Sequence, residues 1–192
     1  MITHIRPALV LLVFFTLVTG LLYPLAMTGI GQGLFPRQAG GSLIEQDRKV
    51  VGSSLIAQSF TQPQYFLPRP SAAGKDGYDA TSSSGSNLAP TAKALVERVA
   101  GDTEIYKGRD GSAAVPVDAV TTSGSGLDPH ISPANVARQL PRVAEARGLT
   151  MAEVQSLVEA HTERPWLGFL GQPGVNVLTL NMALDKMKPV SK

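Results

Sequence analysis

The chain begins with a long uncharged hydrophobic stretch, and only after it do short apolar groups alternate with polar residues. No charged side chain occurs from Pro7 to Pro36, and every charged side chain except Arg6 follows this stretch. Leu, Val, Ile and Phe dominate residues 8–30 within it. A helix rises about 1.5 Å per residue, so about 20 residues cross a hydrocarbon core about 30 Å thick. The pattern therefore predicts a transmembrane helix at about residues 8–30.

A cleaved secretory signal is the alternative interpretation of this stretch. Arg6 and the amino terminus form a short positive head, and Leu9–Leu22 would be the hydrophobic segment of such a signal. No A-x-A-like cleavage site follows, and the apolar run continues through Met27, which favours a retained anchor. The basic head favours a cytoplasmic N-terminus with the larger domain outside.

The pattern after the anchor predicts one small α/β domain over residues 37–192, so residues 1–36 hold the head, the helix and a juxtamembrane link. Strands are predicted at Leu43–Ile44, Val50–Val51, Leu55–Ile56, 115–122 and 175–180. Helices are predicted at 91–100, at 133–148 with Ser132 as N-cap and a bend or interruption at Pro141, after a capping box at Thr150 and Glu153, and at 181–187. The remaining segments 65–70, 71–90 and 101–114 are predicted as extended chain, a long loop and a polar connection.

Composition excludes several classes of chemistry. The chain has 17 Lys and Arg against 15 Asp and Glu, a formal net charge of +2, and no basic stripe of the kind that nucleic-acid binders carry. No nucleic acid is therefore predicted as a partner. The chain has no cysteine, which excludes a disulfide framework, thiolate metal sites and a cysteine nucleophile.

The sequence motifs give little support for a hydrolase active site or a metal site. No G-x-S-x-G elbow and no S-x-x-K pair occurs, so a serine hydrolase is not predicted. Asp128, His130 and His161 could supply three metal ligands, but their spacing is not characteristic of a metal site. Histidines at helix ends more often bond the backbone, and we predict no metal site.

One turn has the place in the chain, though not the sequence, of a phosphate-binding loop. Ser123, Gly124, Ser125 and Gly126 lie between a predicted strand and a predicted helix, where backbone N–H groups could meet a phosphate. The Gly-Lys-Ser/Thr end of a P-loop is missing, so no lysine is placed on the phosphates. Gly and Ser are also ordinary turn residues, and both interpretations stay open.

The predicted membrane helix carries a stripe of small residues, Thr16, Gly20, Pro24 and Thr28, which recur every four positions. Small residues let another helix approach closely within lipid. Scattered Gly and Thr are also common in membrane helices. We predict that this stripe packs against a partner helix.

Motifs that span nearly the whole chain resemble the C subunit of the bacterial Kdp-type potassium-transporting P-type ATPase. The anchor contributes Arg6-Pro7-Ala8 and Gly20-x-x-Tyr23-Pro24. The domain contributes Tyr65-Phe66-x-x-Arg69-Pro70-Ser71-Ala72, Ser84-Gly85-Ser86-Asn87-Leu88, Val115-Pro116-Val117-Asp118, Ser125-Gly126-Leu127-Asp128-x-x-Ile131-Ser132-Pro133, Gln139-x-Pro141-Arg142-Val143-Ala144, Gly174-Val175-Asn176-Val177 and Leu180-Asn181-x-Ala183-Leu184-Asp185.

The resemblance implies an accessory subunit of the inner membrane and not an enzyme. The complex would contain a K+-translocating A subunit, an ATP-hydrolysing B subunit and a small F subunit, and this chain would cover the outer side of the A subunit. K+ would be the transported ion. The resemblance also implies that the accessory subunit raises the ATP affinity of the B subunit, with nucleotide contacts at Ser123, Gly124, Ser125, Gly126 and Gln139. An outside domain would meet little ATP, so the residues themselves favour a structural turn.

Two other classes remain open from the sequence. An unrelated membrane-anchored extracytoplasmic binding module would be stable and monomeric without partners. A cytoplasm-facing nucleotide-binding regulator would bind ATP in isolation.

The hydrophobic pattern generates a topology prediction. Protease added to spheroplasts should degrade the large domain, because one charge-free segment long enough to cross follows a basic head. Protection of the domain until the cells are lysed would refute this orientation.

Overall fold

The computed structural model describes residues 2–189, which separate into two compact units, the first ending at Ser53 and the second beginning at Ser54. The sequence pattern places the start of the domain at residue 37, whereas the segment after the anchor helix packs with the first unit and not with the second. The functional limits of the domain stay a prediction.

The first unit contains the anchor helix and a small hairpin. Helix α1 covers Ile5–Leu17, a π-helical turn covers Val18–Leu22, and helix α2 covers Tyr23–Leu34. Together they form one apolar helix of 30 residues, Ile5–Leu34, longer at both ends than the predicted 8–30. The short helix α3 (Pro36–Ala39) and the antiparallel pair β1 (Leu43–Gln46) and β2 (Lys49–Ser53) complete the unit.

The second unit combines a three-stranded sheet with helices, which confirms the predicted α/β class. Its helices are α4 (Lys93–Asp110), α5 (Val117–Val120), α6 (Pro133–Arg147), α7 (Met151–Ala160) and α8 (Val177–Met187). Its strands are β3 (His130–Ile131), β4 (Thr162–Glu163) and β5 (Gly174–Asn176). Strand β5 lies in the centre and pairs antiparallel with β3 on one side and β4 on the other.

The hydrophobic core lies between helices α6, α7 and α8 and strand β5. Helices α6 and α7 begin where the sequence places their caps: Ser132 accepts a hydrogen bond from the Asn135 N–H, and Thr150 forms a full capping box with Glu153. These caps satisfy N–H groups that would otherwise lack partners at the helix ends. Buried apolar side chains from all of these elements form one cluster: Phe66, Ile131, Val136, Leu140, Val143, Ala144, Val154, Val158, Val175, Val177, Leu180 and Leu184.

Three predictions of secondary structure were wrong. Residues 115–122 are not a strand, because Pro116 opens the short helix α5. The predicted strand 175–180 ends at Asn176, whose side chain accepts a hydrogen bond from the Thr179 N–H and begins α8. Residues 55–56 lie in a turn. Helix α6 continues through Pro141 without a break, since buried side chains hold both halves of it against the core.

The predicted polar connection 101–114 was also wrong, because most of it belongs to helix α4. The glycines at 101 and 108 lower its intrinsic helix propensity, and Tyr106 is its one buried residue in the described structure. Tertiary contacts stabilise α4 where the local sequence pattern does not favour a helix. The Asp110 carboxylate accepts a hydrogen bond of 2.7 Å from Arg142 Nε, and the Tyr106 hydroxyl donates to Asn135 Oδ1 over 3.0 Å.

Two buried amide side chains fix the extended segment that precedes the long loop. Asn181 Oδ1 accepts from the Phe66 N–H and its Nδ2 donates to the Phe66 carbonyl, both at 2.9 Å. Gln139 does the same at Leu67, accepting at 2.8 Å and donating at 3.0 Å. Each amide therefore makes the two hydrogen bonds that a neighbouring β-strand would make. The backbones of Phe66 and Leu67 are paired in this way although no strand lies beside them.

Two arginines extend this arrangement toward the beginning of the segment. Arg142 donates to the carbonyls of Pro63 and Tyr65, and Arg147 Nε donates to the carbonyl of Gln64 over 2.7 Å. Hydrogen bonds with a charged donor are among the stronger ones in proteins. Side chains of α6 and α8 thus bind the backbone of every residue from 63 to 67. We name this segment and its side-chain partners the backbone clamp.

The backbone clamp generates a stability prediction for Gln139→Ala. Gln139 is 1% exposed and also donates to Asn135 Oδ1 and accepts from Arg142. Its removal leaves several polar groups without partners, so we expect a loss of about 2–4 kcal/mol in the free energy of unfolding. Urea unfolding of the full chain in detergent measures it. Gln155→Ala, on an exposed helix surface, is the matched control and should change stability little; equal stability of the two variants would contradict the clamp.

Candidate functional site

The Ser123–Gly126 turn uses its own hydroxyl groups to bond its own backbone. Ser125 Oγ accepts from the Leu127 N–H at 3.1 Å, and Ser123 Oγ accepts from the Asp128 N–H at 3.4 Å. The Gly126 N–H donates to the Ser123 carbonyl over 3.2 Å. The N–H groups of Gly126, Leu127 and Asp128 are therefore already paired with acceptors of the turn. The turn is followed by strand β3 and not directly by a helix.

The turn also packs tightly against the long loop 71–90. Ser71 Oγ donates to the Gly126 carbonyl over 2.6 Å, and Ser83 Oγ donates to the Ser125 carbonyl over 3.0 Å. Gly126 has φ +68°, and a Cβ atom there would overlap the Ser84 carbonyl oxygen and lie 2.8 Å from the Ala73 nitrogen. A glycine is required at 126 both for its conformation and for this close approach.

The structure does not bring Gln139 together with the turn. Ser123, Gly124 and Ser125 line an open cleft of about 620 Å³ together with Arg69 and Asp128. Gln139 lines a different cavity, of about 420 Å³, and its amide is engaged in the backbone clamp. The five residues that the resemblance implies for nucleotide contact are thus divided between two places in the fold.

The nearest long helix, α6, already has an anion at its N-terminus. The Asp118 carboxylate accepts from the Ser132 N–H at 2.8 Å, from Ser132 Oγ at 2.8 Å and from Asn135 Nδ2 at 3.0 Å. A carboxylate at this end interacts favourably with the helix dipole and satisfies N–H groups that lack intrahelical partners. Asp118 thus places a negative charge beside the N-terminus of α6, which disfavours a phosphate there.

An ion network lies beside the turn and connects three segments. Arg69 NH1 lies 3.1 Å from Asp128 Oδ2, and Asp128 Oδ1 lies 3.2 Å from His130 Nδ1. The His130 side chain lies against Gly174 of β5, where an added Cβ atom would be 3.4 Å from the His130 Cβ atom. The His130 Nε2 atom lies 3.4 Å from Glu163 Oε2. Gly174 makes this contact sterically accessible because it has no side chain.

Proton equilibria in the network follow from these contacts. The hydrogen bond to Asp128 raises the pKa of His130 above its ordinary value of 6.5, partly offset by burial and reinforced by Glu163. The same hydrogen bond lowers the pKa of Asp128. His161 takes no part, because its Nδ1 lies 2.9 Å from the Leu157 carbonyl at the end of α7. Among residues 2–189 no group of three or more His, Asp or Glu side chains is placed to hold a metal ion.

The π-helical turn changes the geometry of the small-residue stripe. Residues four apart in a regular α-helix are rotated by about 40°, so Thr16 and Thr28 would differ by about 120°. A π-turn absorbs about one extra residue, or about 100° of rotation, which brings the two threonines to within about 20°. Gly20 lies inside this turn. The Thr19 hydroxyl donates to the Phe15 carbonyl over 2.6 Å, a bond within the helix next to the π-turn.

Sequence reasoning missed one exposed apolar feature, the segment Pro165–Leu170. Trp166, Leu167 and Phe169 are 70%, 65% and 72% exposed. The signal that could have found it is an aromatic, uncharged run bounded by Pro165 and Pro173.

These features define a class of protein: a small α/β domain attached to one helix that, within the described part of the chain, is long and apolar enough to cross a membrane. A family model described as "K+-transporting ATPase, c chain" matches residues 5–186, so the chain belongs to the KdpC family. The resemblance drawn from the motifs is confirmed.

Curated relatives agree over nearly the full length. The chain is 55% identical over 190 residues to the potassium-transporting ATPase KdpC subunit of Caulobacter vibrioides (strain NA1000 / CB15N), covering 98% of this chain and 96% of the relative. It is 56% identical over 189 residues to the protein of that description from Polaromonas naphthalenivorans (strain CJ2), covering 97% and 96%. The corresponding Mycobacterium bovis protein (strain BCG / Pasteur 1173P2) is 53% identical over 187 residues, covering 96% and 98%.

Proposed function

We propose that this chain is the non-catalytic accessory subunit of an ATP-driven potassium uptake complex. Membership of the KdpC family over residues 5–186 is the observation that carries the proposal. Family membership leaves the alternative hypothesis, an unrelated membrane-anchored binding module, without support. In this proposal the N-terminus is cytoplasmic, the helix crosses the bacterial inner membrane, and the second unit covers the outer side of the K+-translocating A subunit. The assembly also includes the ATP-hydrolysing B subunit and the small F subunit.

Assembly in the membrane depends, in this proposal, on the stripe Thr16, Gly20, Pro24 and Thr28. Helices α1 and α2 have no buried residue in the described structure, so their surfaces are free for partners. Apart from its chain neighbours and the backbone of its own helix, no atom lies within 4 Å of where a Cβ atom of Gly20 would be. The π-turn straightens the stripe, so one partner helix can contact it along its length.

The stripe generates a prediction for Gly20→Leu. A leucine there prevents close helix approach, so we expect less of the chain to co-purify with the A subunit in mild detergent. Gly29→Leu is the matched control, because it makes the same substitution in the same helix, also with no atom within 4 Å, about 100° away from Thr28. Equal recovery of both variants would count against the stripe.

We further propose that any increase in the ATP affinity of the B subunit arises from assembly and not from nucleotide bound by this chain. The paired N–H groups of Gly126, Leu127 and Asp128, the Asp118 carboxylate at α6 and the engaged amide of Gln139 support this view. Gln139→Ala is a poor test of nucleotide contact, because it removes part of the backbone clamp.

A pair of glycine variants separates the structural interpretation from nucleotide contact. Gly124→Ala adds a Cβ atom with no atom within 4 Å, on the side of the open cleft, so we expect normal stability and an unchanged Michaelis constant for ATP in the assembled pump. Gly126→Ala introduces overlap and a disfavoured φ of +68°, so unfolding should be easier by at least about 1–2 kcal/mol. A clear rise in the Michaelis constant for Gly124→Ala with normal assembly would support a nucleotide site at the turn.

A further inference from the structure

The segment Pro165–Leu170, here named the Trp166 loop, is an apolar projection whose backbone is already paired. The Trp166 N–H donates to the Leu170 carbonyl, and the Leu170 N–H donates to the Trp166 carbonyl, both at 3.0 Å. Leu167 and Gly168 have φ of +54° and +82°, which close the turn between them. What the loop presents to its surroundings is therefore side chains, not free strand edges.

Its side chains are suited to a boundary between lipid and water. Trp166, Leu167 and Phe169 all extend from the tight turn and are more than half exposed. No charged residue occurs from Pro165 to Leu184, so entry of the loop into an apolar medium would desolvate no ionised group. Exposed Arg164 adjoins the loop, where its guanidinium can meet a lipid phosphate. Tryptophan is enriched at membrane–water interfaces because its ring is apolar and its N–H is polar.

The anchor helix would keep the second unit close to a bilayer. Residues 35–53 link the apolar helix to the second unit, so the bilayer is never further away than this short chain can reach. We propose that the Trp166 loop inserts into the interfacial region of the bilayer that holds the anchor helix. A convex tip of this kind suits fluid lipid, which needs no preformed complementary pocket. The proposal assumes the membrane anchor but holds for either orientation of the chain.

Trp166 is the only tryptophan in the chain, so its fluorescence reports on this loop alone. The full chain would be reconstituted in phosphatidylcholine–phosphatidylglycerol vesicles, with and without brominated acyl chains. Flotation of the vesicles would first establish that the chain is anchored, separately from the loop. We expect brominated lipid to lower the Trp166 emission about twofold, because an interfacial indole lies beside the upper acyl chain. Leu167→Ser with Phe169→Ser, which keep Trp166, should reduce this quenching.

A relocated tryptophan is the matched control. Trp166→Phe combined with Ile105→Trp moves the fluorophore to another exposed apolar position, since Ile105 is an exposed residue of α4. Quenching at 166 and not at 105 supports insertion. Equal quenching at both positions, or none at 166 in chains that float with the vesicles, overturns the proposal. An unquenched Trp166 together with loss of the other subunits in Trp166→Ser would show instead that the loop binds protein.

Discussion

The second unit depends on how buried side chains pair the backbone of residues 63–67. An extended segment inside a protein needs partners for its N–H and C=O groups, and an unpaired buried group costs about 1–3 kcal/mol. A sheet would normally supply them, but this sheet is small and its strands are two or three residues long. Asn181 and Gln139 supply them at Phe66 and Leu67. The long loop 71–90 follows this segment in the chain. The clamp therefore helps to position the loop and the Ser123–Gly126 turn that the loop contacts.

In the candidate nucleotide region, too, side chains of the protein accept hydrogen bonds from backbone N–H groups. A helix N-terminus and a Ser/Gly turn attract anions because they hold N–H groups without intrahelical or local acceptors. Here Asp118 accepts from the α6 terminus, and the hydroxyls of Ser123 and Ser125 accept from the turn. The N–H groups of Gly126, Leu127, Asp128 and Ser132 are thus bonded within the protein. This satisfaction of donors favours a structural role for the turn in a KdpC-family protein.

Surfaces without internal partners lie elsewhere. Helices α1 and α2 present apolar side chains all round, with a straightened line of small residues on one side. The Trp166 loop presents three large apolar side chains whose backbone is already paired. Exposed apolar surfaces of this kind mark contacts with membranes or proteins. For the accessory role proposed above, these surfaces are better candidates for function than any cleft among the described residues.

Local signals in the sequence determined the long apolar helix and the starts of α6 at Ser132 and α7 at Thr150, because an uninterrupted apolar run and a cap act over a few neighbouring residues. The approximate α/β class followed from the same local patterns. Only tertiary structure decided that Gln139 and Asn181 are clamp residues, since they bond backbone 72 and 115 positions away. It also decided that α4 is one long helix, that residues 117–120 are helical, and that Asp118 bonds Ser132, the N-cap of α6, from 14 positions earlier. No pattern along the chain records contacts between residues so far apart, because they form only when the core brings them together.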